Sequence, residues 1–176
     1  MAKTIDKDVI LSVLPEYRNE WITVMQRQEV PHIMAEVFEA HKDFSKYYDS
    51  IGLLFEGSTI GETADNLYFF CKENIKYQEE GEDFQTTAVP AGILVRGHGD
   101  CKHYASFIAG CLAAIERKTG EKINWQYCFA SYKLTQRTPY HVFVIVTEPD
   151  GSEIYIDPTP GADGKEPVWW YRQKVE

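Results

Sequence analysis

Cys101 stands where a glycine-rich stretch gives way to a helix, in RGHGDCKHYASFIAGCLAAIERKTG over 96–120. In the first turn of a helix, unpaired backbone N–H groups and the positive end of the macrodipole favour a thiolate, the form a nucleophilic cysteine needs. The plainer alternative is a small buried apolar residue, as most free cysteines are. Cys111, on an apolar helix face, fits that description; Cys101, between Gly99-Asp100 and Lys102, fits it less well. Forty residues on, His141 opens an aliphatic stretch and Asp157 closes the next one. A histidine paired with a carboxylate has its tautomer and orientation fixed, as a general base requires. Gln85, sixteen residues before Cys101, has two readings: its amide donates to a developing oxyanion, or it is a solvated loop residue. His98, Cys101 and His103 lie close together in sequence, but no second pair at zinc-site spacing accompanies them, and no metal is assigned.

The elements that hold these side chains follow from periodicity. Tyr104, Phe107, Ile108, Cys111, Leu112 and Ile115 recur at three- and four-residue spacing, one apolar face of a helix. Asp100 is its natural N-cap, Lys118 a cation in its last turn and Gly120 its left-handed stop. Ala105, Ala109 and Ala113, with Gly110 beside them, let another backbone approach closely, so the helix is expected to be central and buried. Beyond it, strands are predicted over Ile123–Tyr132, Tyr140–Thr147 and Ser152–Asp157, the last two joined by the turn Glu148-Pro-Asp-Gly151. A three-residue loop pairs Glu148 with Ser152, sets Phe143 opposite Asp157 and makes His141 the diagonal neighbour of Asp157 on one face. Diagonal Cβ atoms lie roughly 7 Å apart, within reach for imidazole and carboxylate. A slip of one residue would put the two on opposite faces.

The first sixty residues read as helical. After Pro31, the residues Ile33, Met34, Val37, Phe38, His41 and Phe44 make an amphipathic stripe, which leaves His32 and His41 as surface or boundary residues without chemistry. Ser45 to Gly57 reads as a helix end and a loop. Thr59 and Glu62 have capping-box spacing before a helix whose face is Ala64, Leu67, Tyr68, Cys71 and Ile75. Tyr77 to Arg96 reads as one long connection, and long connections inside compact domains tend to be functional. The prolines of Asp157-Pro-Thr-Pro-Gly161 end the last strand. The aromatic tail of Trp169, Trp170 and Tyr171 packs back onto the domain or forms an exposed contact surface.

At 176 residues and 44% hydrophobic, the chain suits one domain with a sizeable core. Its formal charge of -9, from 27 acidic and 18 basic residues, argues against nucleic-acid and anionic-membrane partners. The longest apolar run, VFVIV at 142–146, is far short of the ~20 residues that span a bilayer, and no basic-then-apolar leader opens the sequence. A cytoplasmic location is expected. The four cysteines, at 71, 101, 111 and 128, show no paired spacing and imply no disulfide framework.

Gly99-Asp100-Cys101 opening a helix, His141 beginning an aliphatic strand and Asp157-Pro158-Thr159 ending the next resemble the transglutaminase-like superfamily, a branch of the papain-like fold. Asn74-Ile75-Lys76-Tyr77 and the Gln85 to Pro90 segment are similar to what precedes the cysteine in many bacterial members. The likeness covers roughly 60–160. It implies a cysteine helix packed on an antiparallel sheet, with Cys101 as nucleophile, His141 as general base and acid, and Asp157 orienting the imidazole. Lys102 stands where the animal crosslinking enzymes carry tryptophan, and Phe143 where tryptophan is common, which departs from the crosslinking pattern.

The expectation is therefore an α+β, papain-like domain, with 59–176 as the catalytic unit and 1–58 as a helical extension packed on it. It would cleave an amide or peptide bond of a peptide or protein through a Cys101 thioester, with Gln85 as second oxyanion donor and no cofactor. The rivals are acyl transfer to an amine, which uses the same triad, and a non-catalytic binding module of the same fold. A complete triad speaks against the latter.

Overall fold

The computed structural model describes residues 2–14, 21–25, 30–81, 85–162 and 165–175. In chain order these form α1 (Lys7–Val13), β1 (Trp21–Met25), α2 (Val30–Asp43), α3 (Ser45–Tyr48), a 3-10 turn (Gly52–Phe55), α4 (Ile60–Asn74), β2 (Lys76–Tyr77), β3 (Gln85–Ala88), α5 (Pro90–Arg96), β4 (His98–Gly99), α6 (Cys101–Thr119), β5 (Trp125–Ser131), β6 (His141–Thr147), β7 (Glu153–Ile156) and β8 (Trp169–Gln173). The class is α+β.

Helix α6 starts and stops where its sequence says it should: Asp100 caps it by accepting the Lys102 N–H at 3.2 Å, and Gly120 ends it at φ 75°. Every residue from Lys102 to Ile115 is buried. One side faces an antiparallel sheet of order β7-β6-β5-β8, through Trp125, Tyr127 and Phe129 of β5 and Val142, Val144 and Val146 of β6. The opposite sheet face carries a smaller cluster of Cys128, Ala130, Phe143 and Ile145. The small residues of α6 admit close neighbours. A Cβ on Gly110 would meet the Tyr48 ring at 2.5 Å, and one on Gly52 would meet Ala114 at 2.7 Å.

The hairpin has the expected register. Glu148 N–H donates to Ser152 at 2.8 Å, Gly151 takes φ 88°, and Thr147, Val146, Ile145 and Val144 pair with Glu153, Ile154, Tyr155 and Ile156. Phe143 thus faces Asp157. On α4, Thr59 accepts the Glu62 N–H at 3.1 Å, and Ala64, Leu67, Cys71 and Ile75 are buried.

The structure departs from the sequence reading at four places. Residues 21–25 are a strand, paired antiparallel with β3; Trp-Ile-Thr-Val is β-forming, but the surrounding helical stripes masked so short a run. The 45–57 stretch holds a helical turn and a 3-10 turn, not only a loop. The 77–96 connection contains β3 and α5, whose signals were Pro90 in the first turn and Gly97 at φ 70° after the last. His41 is buried at 6% exposure, its Nδ1 3.1 Å from the Tyr127 hydroxyl; burial, with the charges of Arg117 and Lys42, pushes it down to about 4. The aromatic tail packs back as β8 on β5, with Tyr171 stacked 5.1 Å from Phe129, while Trp170 stays half exposed beneath the Arg172 guanidinium.

Candidate active site

Cys101 is the first residue of α6 and the only cysteine of the four that is not buried. What fixes it is a chain of buried charges around the helix start. Asp100 meets the Lys102 ammonium through Oδ2, and its Oδ1 lies 2.9 Å from His103 Nδ1. Lys102 Nζ also donates to Glu80 Oε2 at 2.7 Å. Glu80 further accepts the Thr86 N–H at 2.6 Å and the Thr86 hydroxyl, and pairs with Arg96 at 3.4 Å. His103 Nε2 lies 3.3 Å from the Thr86 hydroxyl. The loop before β3, β3 itself, α5 and α6 are thereby tied together at the point where Cys101 projects.

These charges are mutually compensating. Burial works to raise the Asp100 carboxyl, but the His103 hydrogen bond and the Lys102 charge hold it well below the usual carboxylate range. Glu80 follows the same pattern: burial opposes, and Lys102 and Thr86 lower it. Glu80, Asp100 and His103 bring possible metal-ligand atoms within 4.8 Å of one another. The Lys102 ammonium holds both carboxylates, however, so a metal ion would have to displace an internal cation.

His141, the first residue of β6, is set against the rings of Tyr132 at 5.8 Å and Phe143 at 5.7 Å. Its Nε2 lies 2.6 Å from Asp157 Oδ2, the contact that the hairpin register predicts. The other Asp157 oxygen accepts the Thr159 N–H at 3.2 Å, so the Asp-Pro-Thr sequence that ends the strand also orients the carboxylate. Cys101 lies near enough to the imidazole to raise its proton affinity. Burial would lower the histidine, but the bonds to Asp157 and Cys101 outweigh it and push it up to about 10.

The structure therefore joins His141 to Asp157 and sets Cys101 near enough to influence the imidazole. Gln85 is placed otherwise: its amide nitrogen donates to the carbonyls of Gly81 at 2.9 Å and Glu80 at 3.4 Å. Sequence reasoning missed the roles of Glu80, Thr86, Lys102 and His103. Asp100 with His103 at capping-box spacing was a usable signal for part of the network; nothing local marks Glu80 as the partner of a lysine twenty-two positions later.

The other thiols have no comparable setting. Burial raises Cys71 and Cys111 well above the ordinary range and pushes Cys128 up to about 12, against a lowering pull from Arg172. Iodoacetamide at neutral pH is accordingly expected to modify Cys101 at least tenfold faster than any other cysteine, an order-of-magnitude expectation read by peptide mass mapping. Faster labelling of Cys111 or Cys128 would contradict the placement.

No protein-family model and no curated protein matches the chain. Among solved structures, a candidate protease from Parabacteroides distasonis superposes on 73% of it with a TM-score of 0.55 and 14% identity. This chain spans about a quarter of that protein, 26% of its length. Likeness at this identity speaks for a shared fold. Among the described residues, no helix is long and apolar enough to cross a membrane.

Proposed function

We propose that the protein is a cysteine-dependent hydrolase of amide or peptide bonds, with a papain-like, transglutaminase-like catalytic core. The observation that carries this reading is the His141–Asp157 contact, Nε2 to Oδ2 at 2.6 Å, with Cys101 at the start of α6 near enough to raise the imidazole. The protease-like neighbour is consistent with it in fold.

In the first step Cys101 Sγ attacks the substrate carbonyl while its proton is held on the imidazole nitrogen that Asp157 leaves free. The backbone N–H of Cys101, unpaired at the helix start, faces the developing oxyanion. The C–N bond then breaks, the leaving nitrogen takes the proton from His141, and a thioester remains. Water attacks the thioester and gives a proton to His141. The C–S bond breaks, and that proton stays on His141, which restores the starting pair. The raised proton affinity of His141 suits it to hold the proton between these transfers. No step draws on a cofactor.

Since the Gln85 amide is engaged with loop carbonyls, Gln85→Ala is expected to lower kcat less than tenfold, compared with the ~100-fold or more for loss of an oxyanion donor. A hundredfold loss would return Gln85 to the oxyanion hole. The deciding experiment for the whole reading is mass spectrometry of a peptide mixture after incubation, with and without a primary amine. Cleaved peptides that are absent with Cys101→Ala support the hydrolase. Amide products that dominate at low amine concentration would replace it with a transferase, and an unchanged mixture would leave no hydrolase to defend.

A further inference from the structure

Beyond the Asp157 end of the triad lies a cavity of about 270 Å³. Its walls are Tyr68 and Phe69 of α4, Tyr132, Phe143 of β6, and Tyr155 and Asp157 at β7, with Cys101 outside it. Phe143 and Tyr132 pack on His141, and Asp157 bonds it, so the cavity shares three residues with the immediate surroundings of the imidazole. The remaining charges in its lining are Asp65 and Lys165.

Resting on the hydrolase reading above, we infer that this cavity binds the leaving-group side of the substrate and takes an aromatic or large aliphatic side chain. The acyl part of the substrate ends on Cys101 Sγ, while the leaving nitrogen must collect its proton from the imidazole. The chain that carries that nitrogen therefore runs from Cys101 past His141, toward the end where Asp157 and Phe143 open the cavity. Size sets the occupant: whole small-molecule ligands usually occupy ~300–1,000 Å³, so 270 Å³ suits one bulky side chain. Chemistry selects among side chains. Five aromatic rings offer edge and face contacts to an apolar side chain, and the two remaining charges, Asp65 and Lys165, are of opposite sign and give an acidic residue no net advantage. Phe69 and Tyr155 are 44% and 47% exposed, so each has surface left for a substrate to cover.

The test is digestion of a random peptide library by the full chain, reading the two residues that follow each cut by mass spectrometry. A separate assay with p-nitrophenyl acetate, whose leaving group lacks a peptide continuation, reports acylation of Cys101 independently. Aromatic and large aliphatic residues are expected to be enriched on the order of tenfold over glycine and aspartate, the scale on which an apolar pocket discriminates. That ratio should fall to about threefold or less in Phe69→Ala and in Tyr155→Ala, two variants that truncate half-exposed side chains. An acylation burst with a flat preference after the cut in the unmodified chain overturns the cavity assignment and leaves the hydrolase standing. Neither a burst nor library cleavage overturns both.

Discussion

Asp157→Asn is expected to lower kcat/KM by about 10³- to 10⁴-fold while leaving the far-ultraviolet circular dichroism unchanged. In the folded chain Asp157 Oδ2 accepts from His141 Nε2, which keeps the opposite nitrogen available to the thiol. An asparagine amide turned the other way donates to Nε2, and the ring proton then sits on the nitrogen that must accept from Cys101. The same change should appear in the pH profile. His141 is pushed up to about 10, so the acid that protonates the leaving nitrogen is lost only as pH rises through about 10. With Asp157→Asn the alkaline limb of kcat/KM should move down toward the ordinary histidine range near 6.5. The sign for stability is parallel: a histidine raised on folding contributes stability in full below about pH 6.5, and this is lost as pH climbs through about 10. Full activity in the variant, or an alkaline limb that does not move, would remove Asp157 from the mechanism.

Lys102→Met should be the most destabilising single change near the site, by about 3–5 kcal/mol. The Lys102 side chain is only 6% exposed and holds Glu80 and Asp100, each at 7%. Its removal takes from two buried carboxylates the cation they share, leaving Glu80 only the longer contact to Arg96 and Asp100 only His103, and a buried charge that loses its main partner costs far more than an intact pair contributes. The urea midpoint at pH 7 reads the effect, and adding Glu80→Gln to Lys102→Met should recover part of it, since one of the two stranded charges is then gone. Acid should act on the same network in the unmodified chain. The folded Asp100 carboxyl is held below its ordinary value, so its contribution is present above about pH 4 and disappears as pH falls further. A loss below 1 kcal/mol in Lys102→Met would mean that solvent reaches these carboxylates.

Where a residue's role depends on neighbours close in sequence, the sequence is readable. Asp100 and Gly120 bound α6 because caps act within a turn, and the His141 to Asp157 contact follows from a tight turn whose register admits one pairing. Strands β1 and β3 pair across some sixty positions, so neither run's own pattern identifies its partner. Lys102 beside Cys101 reads as exposed charge until Glu80, brought in from a distant loop, buries it. His41 was misplaced for a related reason: its stripe position was correct, but the Trp125 and Tyr127 rings that enclose it come from β5.

The hairpin of β6 and β7 has a temporal consequence during synthesis. Fifty-six residues separate Cys101 from Asp157, roughly 3 to 11 seconds of chain elongation at ~5–20 residues per second. Through that interval a nascent chain carries Cys101 without the His141–Asp157 contact, which forms only once β7 exists to pair with β6. On the hydrolase proposed above, the order of synthesis alone would withhold the base until the hairpin forms, and a chain broken off before Asp157 would never gain it.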